Sequence, residues 1–298
     1  MASKPLWLAY IGVGLMGGPM SARLAKLGWQ VTAYDIAPER LTAVSAAGVH
    51  AAASAADAAR GADVVLLNLP TNDAVSAAVF DANGVASAVG ERQLVVDFST
   101  IPVDECRRHA ERLRAATGCR WLDAPVSGGP PASAAGTLTV MAGGEAADLE
   151  RVAPLMKDIS ARCTHMGSVG AGLAAKMINQ LIVGVGHAMI AEAVALCGKA
   201  GIDAARIPDC LAGGYADSNV MKAYWPRMVE QDFAPRGYLR QLLKDLEMVN
   251  AWAGSLKAPV PQLAQALSLL RLAASHGYSE LDSSAVVKIF KANSVLST

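Results

Sequence analysis

Residues 7–17 read WLAYIGVGLMG, a short apolar run followed at once by three spaced glycines, Gly12, Gly14 and Gly17. The run has the length and composition of a buried strand, and helical spacing of apolar residues follows over Met20–Leu27. A strand, a glycine turn and a helix in this order begin a dinucleotide-binding fold. The first glycine permits a tight turn, the second lets a pyrophosphate approach the backbone, and the third lets helix and strand pack closely. The residues expected to contact the cofactor are Gly12, Val13, Gly14, Leu15, Met16 and Gly17.

An acidic residue, Asp35, follows the next β-rich run at the position where such folds hold the adenosine ribose. Its carboxylate accepts hydrogen bonds from the ribose hydroxyls and repels a 2′-phosphate, so the expected cofactor is NAD. Arg40 lies close enough to pair with a phosphate, which keeps NADP open as an alternative. A second interpretation of Asp35 is that it only caps the following helix, which has Pro38 in its first turn.

Short β-rich runs alternate with segments of helical spacing throughout the first half of the chain. This alternation predicts βαβ units and therefore an α/β fold, a doubly wound parallel sheet of the Rossmann type. The predicted strands are Trp7–Ile11, Trp29–Tyr34, Asp63–Leu67, Leu94–Phe98 and Cys119–Ala124. The helical segments between them include Met20–Leu27, Pro38–Ala47 and Val103–Ala116.

After about residue 166 the β-branched runs give way to helical segments. We therefore predict a dinucleotide-binding domain over residues 1–166 and an all-α domain over residues 167–298 that serves the substrate and oligomerisation. Ala171–Ala200 reads as one interdomain helix of about 30 residues, longer than most helices of globular proteins. The further predicted helices are Ala204–Leu211, Val220–Val229, Tyr238–Ala253, Pro261–His276 and Ser283–Ala292.

The composition narrows the function class and the compartment. The 298 residues are 53% apolar, and 26 Lys and Arg balance 26 Asp and Glu, which argues against a disordered chain or a nucleic-acid-binding protein. Five widely spaced cysteines predict neither a metal site nor disulfides, so we expect a reducing, cytoplasmic setting. The apolar stretch Leu181–Gly198 contains His187 and Glu192, which are costly in lipid, so we expect a buried helix and no membrane association.

Four segments, in order along the chain, resemble the β-hydroxyacid dehydrogenases, the family of 3-hydroxyisobutyrate dehydrogenase and tartronate semialdehyde reductase. The resemblance extends over nearly the whole chain and implies hydride transfer between NAD(P) and a small 3-hydroxy acid. The matching segments are Ile11–Met20, Asp123–Gly129, Gly170–Asn179 and Lys244–Leu246.

The resemblance assigns the catalytic acid/base to Lys176. A lysine is ordinarily a solvated surface charge, but this one lies near the start of an apolar helix, where burial favours the neutral amine that can accept a proton. Asn179, one helical turn later, is expected to orient the substrate or the lysine.

The loop at Ser127, Gly128 and Gly129 follows a predicted strand, and its exposed N–H groups and hydroxyl suit a carboxylate. In the family the matching residues hold the substrate acid group, although a glycine loop without a ligand is the simpler interpretation of these residues alone. The sequence departs from the family at Gln180, where a second Asn is common, and at Ala132-Ser133, where Gly-Ala is common. These departures bear on the shape of the substrate pocket.

Other cofactor contacts follow from the resemblance at Leu69, Pro70, Thr100 and Lys244. As plain sequence, each of these residues can equally be a turn residue or a surface charge. A separate hypothesis is that Arg236, Tyr238 and Arg240 bind a second anionic group of the substrate, the alternative being a solvated helix face.

The function expected from the sequence is oxidation of a small 3-hydroxy acid, similar to 3-hydroxyisobutyrate, by NAD, or the reverse reduction of its semialdehyde. One alternative is an NADPH-dependent reductase of tartronate semialdehyde, succinic semialdehyde or glyoxylate. A second is an imine reductase-like enzyme, and a third is a binding module without activity, which the presence of Lys176 disfavours. The substrate is expected to be a small carboxylate, and the apolar helices predict a homodimer or homotetramer.

Overall fold

The structure, a computed structural model, describes residues 6–291. Over this range the chain forms a nine-stranded sheet in its first part and mainly helices in its second. The strands are β1 (Trp7–Ile11), β2 (Gln30–Tyr34), β3 (His50–Ala51), β4 (Val64–Leu67), β5 (Leu94–Asp97), β6 (Arg120–Asp123), β7 (Val126–Ser127), β8 (Leu138–Gly143) and β9 (Ser160–Gly167).

The strand order reverses at β1, which lies between β2 and β4 and is parallel to both. From β1 the strand order runs to β2 and β3 on one side, and to β4, β5 and β6 on the other. In open α/β sheets, ligands bind beyond the carboxyl ends of the strands at such a switch point. Because the glycine turn follows β1 directly, the topology places it at the expected ligand position.

The predicted α/β fold is confirmed, since the five predicted strands correspond to β1, β2, β4, β5 and β6 and pair in parallel. Every residue of β4 and β5 is buried, as expected for strands covered on both faces.

The four remaining strands were not predicted from the sequence. β8 runs antiparallel to β6 and β7 and parallel to β9, which makes the sheet mixed. β9 is mostly exposed and carries Arg162, Thr164 and His165, so it lacks the apolar run that marks a buried strand. β3 and β7 have two residues each, too few to show a period.

The helices follow the predicted pattern, and the predicted bounds of the long helix match those of α9. They are α1 (Gly17–Lys26), α2 (Pro38–Ser45), α3 (Ala55–Ala59), α4 (Asn72–Phe80), α5 (Val103–Thr117), α6 (Gly129–Ala135), α7 (Ala146–Arg151), α8 (Ala153–Ile159), α9 (Ala171–Ala200), α10 (Ile207–Leu211), α11 (Asn219–Glu230), α12 (Leu239–Ser255), α13 (Pro261–Ser275) and α14 (Lys288–Lys291). Short 3₁₀ turns cover Val85–Ser87, Ala204–Arg206 and Ser283–Val287. The helices predicted over Ala204–Leu211 and Ser283–Ala292 are therefore each a 3₁₀ turn followed by a short α-helix, α10 and α14, and Ala292 lies outside the described residues.

Residues up to Lys176 form one compact unit and residues from Met177 form another, so the division falls within α9. Among the described residues, α9 alone is long and apolar enough to cross a membrane by length and composition, and 39% of its most apolar stretch is buried in the folded chain. The functional boundary between residues 166 and 167 stays a prediction.

Candidate active site

The glycine turn between β1 and α1 uses its glycines in two different ways. Gly12 has φ +91°, and a Cβ there would collide with the carbonyl oxygen of Asn68; a Cβ at Gly17 would collide with the carbonyl oxygen of Gly12. Gly14 is different, because a Cβ there would meet only the Arg40 side chain, at 3.8 Å. The fold itself therefore needs Gly12 and Gly17, whereas the small size of Gly14 leaves its backbone open to a ligand at the N-terminus of α1.

Asp35 follows β2 and is connected directly to the glycine turn. Its Oδ2 accepts a 2.8 Å hydrogen bond from the N–H of Val13, and its Oδ1 accepts one of 2.9 Å from the N–H of Ala37. Arg40 lies 3.4 Å from the same Oδ1. The carboxylate is buried, and Oδ2, which accepts from Val13, has a second lone pair that a ribose hydroxyl can use.

The loops after β4 and β5 are linked by Ser99. Its hydroxyl accepts a 2.9 Å hydrogen bond from the N–H of Leu69, and its own N–H donates to Oδ1 of Asp97 at 2.8 Å. The structure thus brings the loop of Leu69 and Pro70 together with the loop that carries Thr100.

Two buried carboxyl groups lie side by side beneath these loops. Asp97 and Asp123 are the last residues of β5 and β6 and face each other in register. Burial, with a smaller contribution from the charge of Asp123, raises the pKa of Asp97 to about 7, although hydrogen bonds from Ser99 oppose the rise. Among the described residues, Oδ2 of Asp97 has no hydrogen-bond partner. Asp97 can therefore hold a proton near neutral pH.

Asp123 caps the helix that carries Lys176. Its Oδ1 accepts from the N–H of Gly170, just before α9, and its Oδ2 from the N–H of Leu173 in the first turn of α9, both at 2.7 Å. Burial raises the pKa of Asp123, and these donors oppose the rise. A Cβ at Gly172 would collide with the carbonyl oxygen of Met141, so the close approach of α9 to the strand ends requires glycine here.

Lys176 is buried, with 7% of its surface exposed. Its ammonium group donates a 2.8 Å hydrogen bond to the carbonyl oxygen of Val126. Val126 directly precedes Ser127, and Gly128 and Gly129 follow with φ of +132° and +69°. The structure therefore brings the predicted acid/base next to the predicted carboxylate-binding loop.

Ser133, noted above as a departure from the family, has a structural partner in the glycine turn. Its hydroxyl, which belongs to a fully buried residue, donates a 2.8 Å hydrogen bond to the carbonyl oxygen of Met16. The helix that follows the Ser127 loop is thereby held against the cofactor turn.

The second compact unit contains a chain of polar side chains that includes Asn179 and Lys244. Asn179 donates through Nδ2 to Oε1 of Gln180, and Gln180 donates through Nε2 to Oδ2 of Asp245, both at 2.7 Å. Oδ1 of Asp245 lies 3.2 Å from the ammonium group of Lys244. Gln180 and Asp245 are buried. This unit thus connects the predicted substrate residue to the predicted cofactor residue.

The two arginines considered for a second anion already have acidic partners. Arg240 forms a 2.8 Å ion pair with Glu280 and lies over the ring of Tyr238, and Arg236 pairs with Asp232 at 3.1 Å. These pairs are partly exposed, which is typical of a solvated surface.

Sequence reasoning assigned no role to several residues that organise the site. Asp97 and Asp123 carried a usable signal, because each is an acid at the end of an apolar strand. Ser133 and Gln180 carried only their difference from the family pattern, and their partners are distant in sequence.

The glycine turn at the switch point and the acid after β2 define a dinucleotide-binding protein. Residues 7–167 match the family described as the NAD binding domain of 6-phosphogluconate dehydrogenase. Residues 170–290 match the family described as NAD-binding of NADP-dependent 3-hydroxyisobutyrate dehydrogenase. The chain belongs to the β-hydroxyacid dehydrogenase family. It is an NAD(P)-dependent oxidoreductase of small hydroxy acids.

Individual relatives match the chain over almost its full length. NAD-dependent L-serine dehydrogenase of Pseudomonas aeruginosa is 36% identical, over 95% of this chain and 97% of that protein. 2-Hydroxy-3-oxopropionate reductase of Escherichia coli is 34% identical, over 94% and 96%. The crystal structure of 3-hydroxyisobutyrate dehydrogenase from Salmonella typhimurium superposes with a TM-score of 0.88 at 31% identity, over 95% and 99%.

Proposed function

We propose that the chain oxidises a 3-hydroxy acid of three or four carbons to its semialdehyde, with Lys176 as the acid/base. The observation that carries this proposal is the hydrogen bond from the buried Lys176 to Val126, beside Ser127. The Ser127 hydroxyl and the N–H groups of Gly128 and Gly129 hold the substrate carboxylate. The neutral amine of Lys176 accepts the proton of the 3-hydroxyl group, and Asn179 orients the substrate.

NAD, when bound, would supply the nicotinamide ring that accepts a hydride from the carbon bearing this hydroxyl group. The residues that would hold it are the glycine turn Gly12–Gly17, Asp35, the loops at Leu69, Pro70 and Thr100, and Lys244. The space over Gly14 and the second lone pair of Asp35 Oδ2 support this fit. The charge of Asp35 favours NAD over NADP, although Arg40 is close enough to meet a 2′-phosphate.

The test is a spectrophotometric panel followed at the NADH absorbance. The substrates are both enantiomers of 3-hydroxyisobutyrate, glycerate and serine, together with 3-hydroxypropionate, 4-hydroxybutyrate and the matching semialdehydes, each with NAD(H) and NADP(H). We expect the highest kcat/KM for a 3-hydroxy acid with NAD. If no acid or semialdehyde in the panel reacts with either cofactor, the proposed function is wrong.

Reduction of tartronate semialdehyde is the second candidate, supported by the Escherichia coli relative named 2-hydroxy-3-oxopropionate reductase. It uses the same groups in reverse, with Lys176 returning the proton. The panel separates the two candidates through kcat/KM for tartronate semialdehyde with NADH and NADPH.

We also propose that the chain assembles as a homodimer or homotetramer through α9. Four large apolar side chains on this helix are exposed: Ile178, Ile182, Met189 and Leu196. Beside them, a groove of about 490 Å³ has an apolar lining that includes Met189, Leu196 and Trp225. A second copy of the chain would cover these side chains. Light scattering should give a dimer or tetramer mass for the wild type and a lower mass for I182E/L196E.

The proposed setting is the cytoplasm, without nucleic-acid or membrane partners. The balanced charge of the chain and the buried Lys176, Gln180 and His187 along α9 support this proposal. Residues 1–166 would then serve the dinucleotide, and residues 167–298 the substrate and assembly. Cell fractionation with a membrane-marker control tests the compartment.

A further inference from the structure

Gln180 links two side chains that the proposed function uses separately. It accepts a hydrogen bond from Asn179 and donates one to Asp245, which in turn pairs with Lys244. Gln180 and Asp245 are buried, so water does not readily replace either bond. Both hydrogen bonds are 2.7 Å long.

Asp245 determines the direction of the two hydrogen bonds that link Asn179, Gln180 and Asp245. As the acidic partner of an ion pair, Asp245 is a carboxylate, and a carboxylate only accepts hydrogen bonds. Gln180 must therefore turn its NH₂ group to Asp245 and its carbonyl oxygen to Asn179. Since that oxygen also only accepts, Asn179 must turn its NH₂ group to Gln180. The carbonyl oxygen of Asn179 is thereby turned away from Gln180.

We propose that Asp245 and Gln180 are positioning residues that make Asn179 present its carbonyl oxygen, an acceptor, to the substituent at carbon 2 of the substrate. This inference rests on the proposed function. The Ser127 loop meets the carboxylate and Lys176 meets the 3-hydroxyl group, so in an acid such as serine or glycerate the one remaining polar group is the one at carbon 2. An acceptor there selects substrates with a hydroxyl or an ammonium group at carbon 2.

Serine and glycerate distinguish the orientation of the Asn179 amide. The ammonium group of serine can only donate, whereas the hydroxyl group of glycerate donates or accepts. Asp245→Asn removes the constraint, because the amide introduced in place of the carboxylate can donate to Gln180 and so allow both remaining amides to turn over. We expect kcat/KM for serine, relative to that for glycerate, to fall about tenfold in D245N, the value of one hydrogen bond to a charged group.

A double-mutant cycle separates this role from simple attraction between the Asp245 charge and the serine ammonium group. If Asp245 acts through Asn179, D245N in an N179A background leaves the serine-to-glycerate ratio unchanged. If the charge acts directly, the ratio still falls, and the proposal is wrong. Gln180→Met keeps the charge of Asp245 but breaks the link, so it should also lower the ratio, and it provides the test if D245N does not fold.

Glu247→Gln is the matched control, since it also neutralises an acid on α12, one that pairs with Arg271 at 2.8 Å on the surface. It should leave the ratio unchanged.

Binding of serine and glycerate to the NADH complex, measured by thermal shift, gives a readout that does not need turnover. If no substrate in the panel is turned over, but the affinity for serine relative to that for glycerate still falls in D245N, the proposed function is wrong and the inference stands. If the protein turns over or binds both compounds, and the serine-to-glycerate ratio is the same in wild type, D245N and Q180M, the inference alone is wrong.

Discussion

The ammonium group of Lys176 donates a 2.8 Å hydrogen bond to the carbonyl oxygen of Val126. This bond joins the first turns of α9 to β7, the strand that contains Ser127. Lys176 is only 7% exposed, so the protein, rather than bulk water, surrounds its side chain and holds the ammonium group in place. The position of the base and the position of the substrate loop are therefore coupled through the backbone.

Replacing Lys176 by alanine should remove the proton acceptor and leave the cofactor contacts in place. We expect kcat to fall by about 10²-fold to 10⁴-fold, the range for a general acid/base, while the Kd for NADH stays within about twofold. Stopped-flow turnover and NADH fluorescence measure the two quantities. Lys199→Ala, on the same helix but exposed, is the control and should keep full activity. Turnover of K176A close to wild type would rule out this mechanism.

Gly14 and Gly17 should respond differently to alanine. A Cβ at Gly17 collides with the backbone of Gly12, so G17A should lower the Tm of the free protein. A Cβ at Gly14 has room in the fold, so G14A should keep the Tm and lose at least tenfold in NADH affinity, because the methyl group occupies the path of the pyrophosphate. Thermal scans with and without NADH test both. Normal NADH affinity in G14A would mean that the phosphates bind elsewhere.

Asp35→Ala should weaken the preference for NAD. Removing the carboxylate removes the ribose acceptor and the repulsion of a 2′-phosphate, and it releases Arg40 to meet that phosphate. We expect kcat/KM for NADP, divided by that for NAD, to rise at least tenfold. In D35A/R40A the gain should be smaller, which identifies the contribution of Arg40. An unchanged ratio in D35A would leave Asp35 with only a structural role, joining the glycine turn at Val13 to the start of α2 at Ala37.

Much of the fold could be predicted from the sequence, because buried parallel strands and long helices leave strong local patterns. β4 and α9 are examples, since an uninterrupted apolar run and a continuous helical period mark them. β9 could not be predicted, because an exposed strand beside β8 has no such period. Asp123 and Gln180 lie in or beside matched segments, but their partners are at Gly170, Leu173 and Asp245. Contacts at such separations depend on the folded backbone and have no local signal.

Asp123→Asn should weaken the N-terminus of α9. Asparagine has one acceptor oxygen in place of two, so the N–H of either Gly170 or Leu173 loses its partner, at a cost of about 1–3 kcal/mol. Because this turn leads to Lys176, we expect kcat to fall more than NADH affinity. Asp148→Asn is the control, a buried acid that pairs with Arg120 at 2.9 Å. D148N should lose stability without losing kcat per folded molecule, and equal kcat losses in both variants would contradict the capping role.

Asp97→Asn should change how stability depends on pH. With the pKa of Asp97 raised to about 7, the folded protein holds a proton that the unfolded chain releases near pH 4. Between these values the folded state binds more protons, so this group makes the free energy of unfolding fall as pH rises, by up to about 1.4 kcal/mol per pH unit, and has no further effect well above pH 7. Urea unfolding at pH 5 to 8 should therefore show a shallower decline for D97N. Exposed Asp57→Asn is the control, and parallel curves for wild type and D97N would mean that Asp97 is ionised throughout this range.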